Sequence, residues 1–377
     1  MNDVLLTISG VIPADIQTQA ARGDRPEPDY LAMSRAFGAD LLDYPAARQV
    51  VGKLAPVLEK IGGPNLVLAW ACFLLRRRYR VIFTDGEQVG IPLAMLLKFA
   101  GSGPRPRHLM IVHRITAPKK VRLMDLYNLQ ETIDLFFVYA ALQQRFIRER
   151  WKVPAERVPL IPFMVDTNFY SPQFTDTGEI DIPCGDRPLI STAGLELRDY
   201  PTLLEAVRGL DVQLVIATGS PWSKRLDTTR GRDIPENVLV GRFSYRELRQ
   251  IYARSAFIVM SLEPVDFQAG ITAILEAMAM EKAVICTYTP GQSDMIVDGE
   301  NGIYVPAKNP PALRAAIVDL LSDPVKARKM GRSGRQKVLE TATLEKYVQR
   351  LKRYVDRARQ PDIPLGDDHA QEQAASS

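Results

Sequence analysis

The sequence predicts an α/β protein: parallel sheets doubly wound with helices on both faces, arranged in two domains. Three observations predict it. Short β-rich runs alternate with helical stretches along the chain, the pattern of βαβ units. At 377 residues the chain exceeds one ordinary domain, and two domains of roughly 170–190 residues can each bury a core. Its 46% hydrophobic and 24% charged residues are those of a soluble globular protein.

The N-terminal half opens with a strand over 4–8 that runs into the tight turn Ser9-Gly10. Further strands are expected at 39–42, 79–84, 109–113 and 135–139, with a helix over 92–100 after Asp85-Gly86. In such sheets ligands sit beyond the carboxyl ends of the strands, where Gly10, Asp85 and His113 fall. Neither GxGxxG nor GxxxxGK[ST] occurs, so no dinucleotide fingerprint or P-loop is present. The polar stretch 171–187, broken by Pro172, Gly178, Pro183 and Gly185, reads as the interdomain connection.

The C-terminal half reads as strands at 189–192, 212–218, 238–243, 256–260 and 283–287. Gly194 opens the turn before a helix at 200–207, and Gly219-Ser220 ends the second strand, with Lys224 adding positive charge beyond it. Helices follow at 311–322 and 343–358. The expected domains are 1–172 and 188–342, joined by 173–187 and followed by a last helix over 343–360 and a disordered polar tail over 361–377.

The most informative stretch is 262–305. Ile271, Ile274, Leu275 and Met278 fall at i, i+3, i+4 and i+7 and draw one apolar helical stripe. Glu276 lies off that stripe and is expected to point away from the core. Gly270 precedes the helix, so nothing beyond Cα blocks an approach to its first free N–H groups. That end carries partial positive charge and suits a phosphate. Helical side chains lean toward the N-terminus, so Glu276 can reach back toward whatever binds there. A phosphate cradle beside a carboxylate for vicinal hydroxyls outlines a nucleotide-diphosphate site; the alternative is a core helix with one solvated glutamate.

The net charge is +4, but 15 Lys and Arg stand against 6 Asp and Glu between Arg76 and Lys152. Such an excess attracts phosphates, an acidic acceptor or an anionic membrane surface, or else solvates helix faces. The stretch 65–75 is apolar, too short to span a bilayer, and reads as a buried helix or a face resting on a membrane. Cys72, Cys184 and Cys286 are scattered and odd in number, which suggests a reducing compartment and no metal cluster. The three histidines have no HExxH or HxH spacing. The N-terminus is too short and acidic for a signal peptide, so a cytoplasmic protein is expected, peripheral on the inner membrane face if it meets a membrane at all.

The runs LEAMAMEKAVICT and DMIVDGENGIYV resemble the donor-binding core of the family-4 glycosyltransferases of the GT-B fold. VPLIPFMVDTNFYSP (158–172) is similar to the motif closing that family's first domain, with Phe163-Met164 where Asn-Gly is usual. STAGLELRDYPTLLEAV resembles its V-G-R-L-x-x-x-K-G motif, with Leu195 at the usual Arg and Arg198 near the Lys position. The resemblance covers 189–347 well and the N-terminal half only by strand order and the 158–172 motif. It implies a GT-B protein of two Rossmann-like domains that moves a sugar from a nucleotide-diphosphate sugar to an acceptor, with retention and without a metal or other cofactor.

By that resemblance Arg198 and the helix start at Ala269, Gly270 and Ile271 would hold the diphosphate, and Glu276 the ribose. Gly194, Ser220, Lys224 and Arg242 would add to the donor site, and His113 would touch the sugar or diphosphate. Relatives bind the sugar with a glutamate eight residues before the second one, where this chain has Gln268. Either Gln268 serves as a neutral amide or Asp266 supplies the carboxylate. The acceptor is open, lipid-linked or anionic species included; no nucleic-acid partner is expected. The rivals are a non-catalytic nucleotide-sugar-binding protein and a GT-B epimerase or hydrolase, which would need an acid/base pair not evident in the chain.

Overall fold

The computed structural model describes residues 2–101, 105–173, 180, 182, 185–219, 228, 229, 231–292 and 295–360. Ser220, Lys224, much of the 173–187 connection and the tail 361–377 lie outside the described residues. The chain forms two compact units. The first comprises Met1–Ile16, Pro28–Pro162 and Glu345–Ser377, the second Gln17–Glu27 and Phe163–Leu344. The stretch 163–172 thus falls in the second unit, where Val165, Phe169 and Tyr170 enter the core. Val165 also brackets Thr343, donating to Ala342 O at 2.9 Å and accepting from Leu344 N at 3.0 Å.

The first unit holds a five-stranded sheet of β1 (Val4–Thr7), β2 (Ala39–Leu42), β3 (Val81–Thr84), β4 (Arg107–Val112) and β5 (Leu135–Val138), in the order β2-β1-β3-β4-β5. Every pairing is parallel. β1, β3 and β5 are buried along their whole length, as expected where helices cover both faces. The helices of this unit are α2 (Asp29–Phe37), α3 (Tyr44–Val51), α4 (Ala55–Leu75), α5 (Glu87–Phe99), α6 (Pro118–Tyr127) and α7 (Ala141–Trp151), whereas α1 (Ile16–Ala21) belongs to the second unit from Gln17 onward. α5 begins a turn earlier than expected: Val89 and Gly90 already donate to Gly86 O, so the helix is closed before Pro92 enters it. The last helix, α13 (Leu344–Ala358), packs within this unit, with the Tyr347 and Tyr139 hydroxyls 3.0 Å apart and Tyr354 edge-on to Phe137.

The second unit holds β6 (Leu189–Ala193), β7 (Gln213–Ala217), β8 (Val238–Gly241), β9 (Phe257–Met260), β10 (Ala283–Thr287) and β11 (Gly302–Val305). With them come α8 (Tyr200–Val207), α9 (Tyr245–Arg254), α10 (Ile271–Ala279), α11 (Pro310–Ser322) and α12 (Pro324–Thr341). The parallel sheet runs β11-β10-β9-β6-β7-β8. Successive residues of β9 and β10 point to opposite faces. Phe257, Val259, Ala283 and Ile285 join the core with α8 and α11, whereas Ile258, Met260, Val284 and Cys286 join the core with α10. The chain winds one way from β6 to β8 and the other way from β9 to β11, so strand order reverses between β6 and β9. A ligand crevice belongs beyond the carboxyl ends of those two strands.

Candidate functional site

Both segments that leave this reversal point carry predicted site residues. β6 ends at Ala193, and Gly194 turns the chain at φ 102°. Arg198 follows, bridged antiparallel to Leu262 in the segment after β9. Asp199 donates its N–H to Ser261 O and caps α8 with its side chain. These backbone pairings hold Arg198 between the two loops.

Arg198 is 5% exposed. Its Nε donates to Ala193 O at 2.9 Å and its Nη1 to Glu196 O at 2.8 Å. The guanidinium therefore takes up backbone carbonyls rather than the carboxylates of Asp199 or Glu196. Burial lowers its pKa, yet arginine stays charged in proteins. Two glycines make room for it. A Cβ on Gly194 would run into its Nη2, and a Cβ on Gly270 would sit 3.1 Å from Nη1 and 2.9 Å from Met260 Sδ. Gly270 is also in the left-handed region at φ 80°, which other residues adopt at a cost.

Gly270 is the N-cap of α10 and offers no side-chain hydrogen bond to it. The first N–H groups of the helix, at Ile271 and beyond, thus point past a bare Cα with Arg198 alongside, an anion-binding arrangement. Asp266 and Gln268 are half-buried in the loop leading to this end, and Ala269 is buried. The Phe267 backbone presses directly on Gly291, where a Cβ would have no space. The turn at Pro290–Gln292 therefore braces the loop that carries Asp266 and Gln268.

Glu276 corrects the expectation that it faces away from the core. Eight of the nine residues of α10 are buried, Glu276 among them at 7% exposure. The cause is tertiary. The helix shares one core with β9, β10 and α12, and within that core Tyr252 of α9 and Tyr170 of the 163–172 stretch meet the carboxyl. Tyr252 Oη donates to Glu276 Oε2 at 3.0 Å. Burial raises the Glu276 pKa to about 7, against the opposing pull of the Tyr170 and Tyr252 hydroxyls and the Arg198 charge. The glutamate is thus neither solvated nor inert: it is a buried carboxyl poised to change charge near neutrality.

Arg242 is exposed beyond β8, the edge strand, with β7 between it and β6. Ser220 and Lys224 lie outside the described residues. His113 belongs to the first unit, exposed just past β4, with Nε2 2.8 Å from Asp85 O and its ring tilted on Tyr139. Asp85 itself accepts hydrogen bonds from Ser9 N and from the Thr7 and Ser9 hydroxyls, joining the carboxyl ends of β1 and β3. Among the described residues no three His, Cys, Asp or Glu side chains come together as metal ligands.

Sequence reasoning assigned no role to Tyr170 or Tyr252. Tyr252 was findable in principle, because Leu248, Ile251 and Tyr252 share the inward face of α9. Tyr170 had no comparable signal.

Two parallel, doubly wound units, the second with an arginine and a bare helix start at its strand-order reversal, define the GT-B fold of glycosyltransferases. Residues 194–323 match the family described as glycosyl transferases group 1, and this segment is a glycosyltransferase domain. An uncharacterized glycosyltransferase of Methanocaldococcus jannaschii is 26% identical over 135 residues, which is 36% of this chain and 38% of that relative. Sucrose-phosphate synthase from Thermosynechococcus elongatus matches the whole of both chains at TM-score 0.71 and 18% identity. Anabaena HepE, solved in complex with UDP-glucose, matches 94% of this chain and 99% of its own at TM-score 0.68 and 14% identity.

Proposed function

We propose that the protein transfers a sugar from a nucleotide-diphosphate sugar to an acceptor hydroxyl, with retention of anomeric configuration. The observation that carries the proposal is the buried guanidinium of Arg198 beside the uncapped start of α10. In the transfer the bond from the anomeric carbon to the diphosphate breaks, a bond to the acceptor oxygen forms, and the acceptor proton is released. Negative charge grows on the departing diphosphate. Arg198 and the α10 N–H groups are fixed positive groups that stabilise such charge without reorganising. The charge to be neutralised is thereby met by the protein's own groups, which favours a transfer independent of a metal ion.

Glu276 accepts hydrogen bonds from the ribose hydroxyls in this reading, most strongly in its ionised form, where both oxygens are acceptors. Asp266 or Gln268 receives the sugar hydroxyls. Gln268 in place of the usual glutamate favours a second reading, in which the site binds a nucleotide sugar without turning it over. HepE shares the fold and was solved with UDP-glucose, so UDP-glucose is the first donor to test, with GDP and ADP sugars beside it. Calorimetric titration of the wild type and Arg198→Ala, followed by a donor-consumption assay, tests the proposal. Binding that falls at least tenfold in the variant, with turnover in the wild type, supports transfer. Binding without donor consumption supports the second reading, and equal binding by both proteins refutes the site.

A further inference from the structure

The apolar surface of the first unit is unevenly distributed. Among the described residues fourteen large hydrophobic side chains are exposed, and four of them, Val50, Leu54, Val57 and Ile61, fall within 50–61. Ile61 is the most exposed of all fourteen, at 73%. They occupy the end of α3, the single turn Gly52–Leu54 and the first turns of α4. Leu54, Val57 and Ile61 recur at intervals of three and four, which aligns them as one ridge.

The unpaired charges of this segment are basic. Lys53 and Lys60 are exposed beside the ridge. Glu59 is the one acidic residue between Tyr44 and Pro64, and it is taken up by Arg48, whose Nη2 lies 2.6 Å from its Oε1. Lys53 and Lys60 therefore flank four exposed apolar side chains, with the segment's one acidic group paired to Arg48.

The run Tyr44–Leu75 is long and apolar enough, by length and composition, to cross a membrane. It does not do so as one rod. Gly63 breaks α4 with φ 71° and ψ −176°, immediately before Pro64. Beyond the break Val67, Leu68, Ala69, Ala71 and Cys72 are fully buried in the core of the unit. One side of the 65–75 stretch, expected either as a buried helix or as a membrane-resting face, is thus core, while Leu74 on it is exposed. The exposed apolar ridge lies on the piece before the break.

We propose that this ridge rests in the interface of an anionic bilayer. Val57 and Ile61 would enter the boundary of headgroups and acyl chains, and Lys53 and Lys60 would lie at the level of the lipid phosphates. Charge decides against a second copy of the chain as the occupant, since a symmetric pairing of this face would bring four lysines together. The inference stands apart from the sugar-transfer reading, because no residue of the ridge belongs to the donor site.

The test is vesicle flotation at low salt, with phosphatidylglycerol–phosphatidylcholine vesicles compared with phosphatidylcholine alone. The wild type is expected to float with the anionic vesicles only. Val57→Ser/Ile61→Ser should lower partitioning about tenfold or more through lost apolar burial. Lys53→Gln and Lys60→Gln should each lower it about fivefold, the loss equivalent to one cation near the surface. The same variants should unfold cooperatively on heating, near the wild-type temperature, which shows that they fold. A wild type that stays in solution with anionic vesicles overturns the proposal. So does flotation unchanged in the Val57→Ser/Ile61→Ser variant, or a concentration-dependent dimer that this variant abolishes.

Discussion

Replacing Glu276 with glutamine should erase a pH dependence of stability that the wild type carries in its second unit. The carboxyl is buried, and burial raises its pKa from 4.5 to about 7. The folded form therefore holds its proton more tightly than the unfolded chain does. The stabilisation this confers is fully present below about pH 4.5, is lost as the pH rises to about 7, and changes little above that. The full difference is about 3 kcal/mol at ~1.4 kcal/mol per pKa unit, of which about 2 to 3 kcal/mol falls between pH 5 and pH 8. Glutamine keeps the shape and an acceptor oxygen for Tyr252 but cannot titrate. Urea unfolding of both proteins at several pH values gives a difference profile in which the other titrating groups cancel. The glutamine variant should gain on the wild type steadily from pH 5 to pH 8. A flat difference, or one of opposite slope, would refute the reading of Glu276 as a buried, poised carboxyl.

The same carboxyl gives a binding prediction. If ribose hydroxyls donate to ionised Glu276, UDP-glucose affinity should rise about tenfold between pH 6 and pH 8, following the ionised fraction. Calorimetry near pH 6.5 in buffers of different ionisation enthalpy should detect proton release, and its absence would argue against ribose on Glu276. Tyr252→Phe removes the hydroxyl that favours the ionised form, so the midpoint of the wild-type stability profile should move upward in pH; an unmoved midpoint would mean the 3.0 Å hydrogen bond has no such influence. Gly270→Ala places a Cβ against Arg198 and Met260 at a positive φ. It should cost about 1 to 3 kcal/mol of stability and weaken donor binding at least tenfold, read by unfolding and titration together. Gly291→Ala should disturb donor binding from outside the site, because it displaces the Phe267 backbone; unchanged binding would show that the brace does not position Asp266 and Gln268.

The α/β class, the parallel strands and the helix that follows Gly270 were legible because each depends on neighbours close in sequence. The strand at Ala283–Thr287 and the helix at Tyr200–Val207 appear with the expected bounds. α12 was missed for a physical reason. Part of its buried face is made of Gly331 and Gly334, which read in sequence as helix breakers but in the fold let α12 approach Glu281 and Met278. The exposed basic helices α6 and α7 were missed as well, since few of their residues are buried and their apolar period is weak.

For the site, the sequence by itself determined that a bare helix start, an arginine after a glycine turn and a glutamate one turn into a helix all exist in one domain. It also carried the resemblance that linked them. Only the tertiary structure decided that they meet. The reversal of strand order between β6 and β9 brings Gly194 and Gly270 to the same guanidinium, although they lie far apart along the chain. Tertiary packing likewise decided the state of Glu276. Helical periodicity gives only the direction in which a side chain leaves its own helix. Whether water or two tyrosines from other segments wait there is set by how those segments pack, and that sets the charge of the carboxyl.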